Sequence, residues 1–189
     1  MNKILLIDNF DSFTHNIEHL VTKLGFEVET LRNNEFSIDF IKNFKKIIIS
    51  PGPGLPNEAN QIIEIIQKYH QNTSILGICL GHQAIAMAFN GNLKNLSKVY
   101  HGVSSEITIL DNEEILYKNL PKSIEVARYH SWAIDENNIG EGLEVTSVSE
   151  DGTIMSIKHK LYDVRGIQFH PESILTPMGE EIMKNWLEN

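Results

Sequence analysis

The sequence has one cysteine, two tryptophans and no long apolar run. With Cys79 alone, an internal disulfide and a four-thiolate zinc site are both excluded. No apolar stretch approaches the roughly 20 residues of a membrane-spanning helix, so no membrane partner is expected. The opening MNKILLIDNF reaches Asp8 before its apolar run is long enough for a secretory leader, and a cytoplasmic location is the expectation. Positive charge is also scarce. Sixteen lysines and arginines face 25 aspartates and glutamates, the formal net charge is −9, and the basic residues never cluster. That composition lacks the electrostatic footprint of a nucleic-acid binder. There is no internal repeat, low-complexity tract or linker, and residues 1–189 are expected to form one domain.

What is present is an ordinary globular composition, 41% hydrophobic, with enough apolar residues for a sizeable core. In the first half, KILLI (3–7), FEVETL (26–31), KIIIS (46–50) and SILGIC (74–79) read as strands. Such continuous runs suit strands covered on both faces, as in a parallel sheet. Phe13, Ile17, Leu20, Val21 and Leu24 recur at helical spacing, with Asp11 or Ser12 as cap and Gly25 as stop. NQIIEIIQKYH (60–70) and HQAIAMAF (82–89) are two further helices. The order β-α-β-β-α-β-α predicts an α/β fold, doubly wound, with a mostly parallel central sheet and helices on both faces. The second half changes character. EITIL (106–110), SIEVARYH (123–130), LEVTSVS (143–149), TIMSIKH (153–159) and VRGIQFH (164–170) predict an additional antiparallel strand region or a mixed sheet. A last helix is expected from Thr176–Pro177, with threonine as cap, to about Leu187.

Cys79 lies in GICLGHQ (77–83), where a strand gives way to a helix. Gly77-x-Cys79-x-Gly81 is the cysteine counterpart of the nucleophile elbow, whose sharp turn needs neighbours without a Cβ. A helix N-terminus favours a thiolate, and the Leu80 N–H would face a developing oxyanion. A buried, inert thiol is the alternative. A nucleophile needs a base and a group to orient it. Of eight histidines, His15, His19 and His70 lie on helices among charged residues and are expected to be solvated. His159 sits beside lysines with no visible role, His82 follows the elbow too closely, and His101 and His130 stay open. His170 ends an apolar strand in GIQFHPES, and the stiff Pro171 step lets Glu172 hold its ring. A metal site fails here for lack of further spaced ligands. SPGPG (50–54) follows another strand and would present backbone N–H groups beside the elbow.

SPGPG, GICLGHQ, RYHS and GIQFHPES, in this order, resemble the class I (triad-type) glutamine amidotransferases across essentially the whole chain. LIDNFDSFTHN and RYHS look more narrowly like the small subunits of anthranilate synthase and aminodeoxychorismate synthase. The resemblance implies a Cys79 nucleophile, His170 as proton shuttle and Glu172 to orient it. It implies backbone N–H groups of Gly54 and Leu80 as the oxyanion site. Gly52, Pro53, Gly54, Gln83 and Ser131–Trp132 match the glutamine-holding positions. No cofactor is implied for this chain; the larger, chorismate-using partner would be the one needing Mg2+. Asn9, Phe10 and Ser12, just past the first strand, are expected to meet that partner. Two residues depart from the common pattern: Val103 where lysine is usual, and Trp132 where leucine is frequent. Anthranilate synthase is the expected partner, with aminodeoxychorismate synthase, or one chain shared by both, as the alternative. The rivals of other kinds are a peptidase-like cysteine hydrolase, a flavodoxin-like cofactor binder and a non-catalytic binding subunit.

Overall fold

The computed structural model describes residues 3–189. The first half contains β1 (Ile4–Asp8), α1 (Thr14–Lys23), β2 (Val28–Arg32), β3 (Lys46–Ile49), α2 (Ile62–Tyr69), β4 (Ser74–Ile78) and α3 (Leu80–Ala88). The second half contains β5 (Leu93–Asn95), β6 (Val103–Ile109), β7 (Ser123–Arg128), β8 (Trp132–Ile134), β9 (Leu143–Ser149), β10 (Ile154–His159), β11 (Val164–Ile167) and α4 (Gly179–Glu188). Nine strands form one sheet in the order β2-β1-β3-β4-β11-β10-β9-β6-β7. The first five run parallel, and β10, β9, β6 and β7 continue the sheet antiparallel.

The alternation of side chains along a strand explains the layers. In β1, Ile4 and Leu6 pack with Ile17 and Val21 of α1 and Trp186 of α4. Leu5 and Ile7 pack on the opposite face with Ile62, Ile65 and Ile66 of α2 and Ile85 of α3. A helix as short as α2 is not stable alone in water. Burial of its isoleucines, at about 1.5–3 kcal/mol for each large aliphatic side chain, is what holds it.

Several local expectations are corrected. Of the second-half strands, β11 lies parallel beside β4, with Gly166 opposite Gly77, and antiparallel to β10, so the sheet is mixed. A Cβ at Gly166 would come within 2.8 Å of His82 Cδ2, so only glycine lets α3 pack on this strand pair. Neither Asp11 nor Ser12 caps α1. Its N-cap is Phe13, whose N–H donates to the Asp11 carboxylate at 2.8 Å. The stop at Gly25 holds, with φ +87°. Thr176 does not cap α4, which starts at Gly179 after Met178. Thr176 Oγ1 instead donates to His170 O at 2.6 Å and accepts from Ala127 N at 2.9 Å, tying the HPES turn to β7. His70 is only half-exposed: its ring packs edge-on against Phe89 and Tyr162. His159 has a role, since Nδ1 accepts from the N–H groups of Leu161 and Tyr162 in the β10–β11 turn. The two-stranded β5–β8 sheet has no counterpart in the strands expected from the sequence.

The loops at the carboxyl ends of β1 and β3 are joined by Asn9. Its N–H donates to Ser50 Oγ and its Nδ2 to Ser50 O, both at 2.9 Å, and its Oδ1 accepts from Asn33 Nδ2 at 2.9 Å. All three residues are buried. Replacing Asn9 with alanine takes the side-chain donor from the buried Ser50 carbonyl and leaves Asn33 Nδ2 only its 3.4 Å contact to Ala59 O, where an unsatisfied buried group costs about 1–3 kcal/mol. Asn9→Ala should lower the unfolding free energy by about 2 kcal/mol, read in urea as a lower midpoint with an unchanged slope.

Candidate active site

Cys79 stands between β4 and α3 with φ 52° and ψ −98°, a conformation that L residues rarely adopt. The strain persists because the surroundings leave no other path. A Cβ at Gly77 would lie 2.4 Å from the Gly81 carbonyl carbon, and one at Gly81 would lie 2.4 Å from Ile49 O. Strand and helix therefore meet at backbone contact, and the turn closes in the space where side chains would be. The first intrahelical bond of α3 runs from Gln83 N to Cys79 O. The N–H groups of Leu80, Gly81 and His82 precede it and have no intrahelical acceptor.

Cys79 is 7% exposed and opens on a cleft of about 130 Å³. Gly52, Gly54, Leu80, Gln83, Tyr129, His130, Ser131 and Trp132 line that cleft with Cys79. Gly52 is forced by packing: a Cβ would meet Asn9 Cβ and Leu80 Cδ2 at 2.7 Å. Gly54 has φ +72° and lies over the Glu58 carboxylate, which accepts from Leu55 N at 2.9 Å. Pro53 is not brought to this cleft. It lines a separate groove with Asn9, Phe10, Asn33 and Glu58. Gln83 donates to Trp132 O at 2.9 Å, so the expected glutamine-holding groups touch each other.

His170 Nδ1 and Glu172 Oε1 are 2.7 Å apart, and both side chains are shielded from solvent. The imidazole is boxed by Phe13 and Tyr129, with ring centroids 5.2 and 4.9 Å away. Nε2 makes no other hydrogen bond among the described residues. Burial alone pushes the ring towards neutrality. Interaction with Cys79, then with Glu172, outweighs burial and raises the pKa to about 10.

The other buried histidines behave oppositely. Burial pushes His82 down to about 3 and His130 down to about 4. His130 Nε2 accepts from Arg128 Nε at 3.1 Å, which leaves Nδ1 to donate to Trp132 O at 2.8 Å. It holds the cleft wall and stays neutral. His101 is exposed, on the outer side of Tyr129. Among the described residues no group of three or more His, Cys, Asp or Glu is placed to hold a metal ion.

The family model described as Glutamine amidotransferase class-I matches residues 5–189. The chain belongs to the class-I glutamine amidotransferase family. This amidotransferase is 43% identical over 188 residues to "Anthranilate synthase component 2" of Pyropia yezoensis, covering 98% of each chain. It is 42% identical over 186 residues to "Aminodeoxychorismate synthase component 2" of Escherichia coli K12, covering 97% of this chain and 98% of the relative. A solved structure from Thermoplasma acidophilum, described as part of a GMP synthase, superposes with a TM-score of 0.88 at 25% identity. That match covers 100% of this chain and 93% of the other.

Of the residues expected at a partner contact, Asn9 is only 2% exposed and fully engaged in the loop. Phe10 is 52% exposed, with the Arg32 guanidinium 5.5 Å over its ring, and Ser12 is exposed. Sequence reasoning missed Gln168, Tyr129 and the structural use of His82 and His130. For Gln168 a signal existed: it stands two residues before His170, on the same side of an extended segment.

The raised pKa of His170 has a consequence for stability. The folded chain holds this proton more tightly than an unfolded one, whose histidine titrates near 6.5. The contribution is fully present below about pH 6.5 and is lost as pH rises towards about 10. Urea unfolding across this window should show falling stability in the unaltered chain. Glu172→Gln, which removes a group that holds the proton, should show a shallower fall.

Proposed function

We propose that the chain is the glutaminase subunit of a chorismate-using synthase, with Cys79 as nucleophile, and that its partner is of the anthranilate synthase type. The observation that carries the reading is the strained Cys79 in the lining of a small cleft, with the buried His170–Glu172 pair interacting with it from behind that lining. The Cys79 thiolate attacks the side-chain carbonyl carbon of glutamine. The N–H groups of Leu80 and Gly54 receive the oxyanion. His170 gives its proton to the amide nitrogen, the C–N bond breaks, and ammonia leaves a γ-glutamyl thioester. Water then attacks the thioester and gives a proton back to His170. Glutamate departs and the thiolate is restored. Glu172 keeps the imidazole oriented throughout.

Ammonia must reach the second reaction before water protonates it, which calls for a partner sealed over the cleft. Exposed Phe10 supports this reading, as does Ile174, 95% exposed on a groove of about 770 Å³ that also reaches Glu172. Nearly equal identity to an anthranilate synthase and an aminodeoxychorismate synthase component keeps the second partner, or one chain serving both, as the alternative.

Two experiments test the proposal. Cys79→Ser should lose glutamine-dependent synthesis by more than about a thousandfold, while the same complex still uses ammonium salts. Retained glutamine-dependent activity would remove Cys79 from the mechanism. Mixing the purified chain with each large subunit, glutamine and chorismate reads the partner. Anthranilate fluorescence with one and no product with the other supports the choice, equal activation by both points to a chain shared between them, and activation by neither overturns the partner.

A further inference from the structure

Gln168 takes no part in the chemistry above, yet it is fully buried and each of its side-chain contacts ends at the site. It directly follows Ile167, whose carbonyl accepts from Cys79 N at 2.8 Å, so the register of β4 and β11 sets Gln168 beside the nucleophile. Its Nε2 lies 3.5 Å from Cys79 Sγ. Its Oε1 accepts from Gln83 Nε2 at 3.1 Å and lies 3.3 Å from His82 Nδ1.

The orientation of this amide follows from its neighbours. Trp132 O can only accept, so the Gln83 atom facing it is the NH2 group. That NH2 group can only donate, so the Gln168 atom facing it is the oxygen. The remaining end of Gln168, an N–H donor, then faces the sulfur. His82 adds a second lock. It is buried and neutral, and a neutral ring bonds to this oxygen only with its proton on Nδ1. The lock reaches the strand because Gly166 has no Cβ.

We propose that Gln168 is a positioning residue for the nucleophile: its N–H donates to the Cys79 sulfur, and His82 and Gln83 hold the amide so that its oxygen never faces that sulfur. Hydrogen bonds to a charged acceptor are stronger than neutral ones, and the thiolate is the reactive form of a thiol. The donor therefore favours the form that attacks and fixes its direction. The catalytic consequence rests on the glutaminase reading, whereas the reactivity of the thiol does not.

The test is the rate at which iodoacetamide alkylates Cys79 in the full chain at pH 7, followed by intact mass. The sequence has a single cysteine, so the label is unambiguous. Gln168→Glu keeps an oxygen for Gln83 and His82 but replaces the donor, and Gln168→Met removes donor and acceptor without adding charge. Each should slow alkylation about tenfold, equivalent to about 1.4 kcal/mol, and whichever variant keeps its circular dichroism spectrum decides. His82→Leu, which removes one of the two donors that hold the amide oxygen, should slow alkylation by roughly threefold, and His82→Asn, which restores a donor near the Nδ1 position, should recover it. A merely structural role would not produce that recovery, because asparagine fills the space no better than leucine. Rates within about twofold of the unaltered chain in a folded Gln168 variant overturn the proposal, and failure of His82→Asn to recover overturns the lock. Alkylation needs no glutamine, so absence of glutaminase activity in the unaltered chain would count against the function and not against this contact.

Discussion

Everything at this site depends on how closely α3 approaches the sheet at Cys79. Gly77 and Gly81 leave no Cβ between β4, the helix and the carbonyl of Ile49. That contact forces the left-handed turn at Cys79 and sets its side chain at the edge of the core, in the lining of the cleft. It also sets Leu80, whose N–H has no intrahelical acceptor, in the lining of the same small volume. A helix one side chain further from the sheet would relax the turn and separate the nucleophile from that donor. The strain is held by burial on both sides, because Ile49 and Ile85 belong to one core face and Ile78 to the other.

The second organising principle is the contrast among buried histidines. Burial works against charge at His82, His130 and His170 alike. Only His170 meets both a carboxylate and the thiol, and only there do those partners outweigh desolvation. His130 meets the Arg128 guanidinium, a like charge that reinforces neutrality. One fold thus favours the proton on the imidazole near the nucleophile and disfavours it on the two rings that serve as fixed donors close by. The Thr176 hydroxyl and the Gly179 contact under Pro171, where a Cβ would come within 1.9 Å of the carbonyl oxygen, keep the His170 turn in place.

The loops at the strand ends obey the same logic. Ser50 and Asn9 bury polar groups against each other, which spares both loops an unsatisfied donor and sets Gly52 against α3. An asparagine that the sequence places at an exposed rim is therefore structural, while its neighbour Phe10, at φ 62°, turns outward.

What the sequence determined by itself was local. Continuous apolar runs marked β1, β3 and β4 because a strand covered on both faces favours apolar residues at successive positions. The spacing of Gly77, Cys79 and Gly81 marked the elbow, and Pro171 between His170 and Glu172 marked a stiff pair, because both depend on neighbours within a few residues. Tertiary structure decided the rest. Whether β11 joins the parallel strands depends on which edge of β4 is free, and a short strand carries no record of that. The α1 and α4 boundaries moved because Phe13 and Gly179 answer to tertiary contacts that override capping preference. Gln168 meets Gln83 and His82 across 85 and 86 residues of chain, and Gln83 meets Trp132 across 49. Periodicity reports which way a side chain points within its own element. Which polar group waits there is settled only when distant strands pair, because the cost of an unpaired buried donor or acceptor then selects the one arrangement in which these amides and rings satisfy each other.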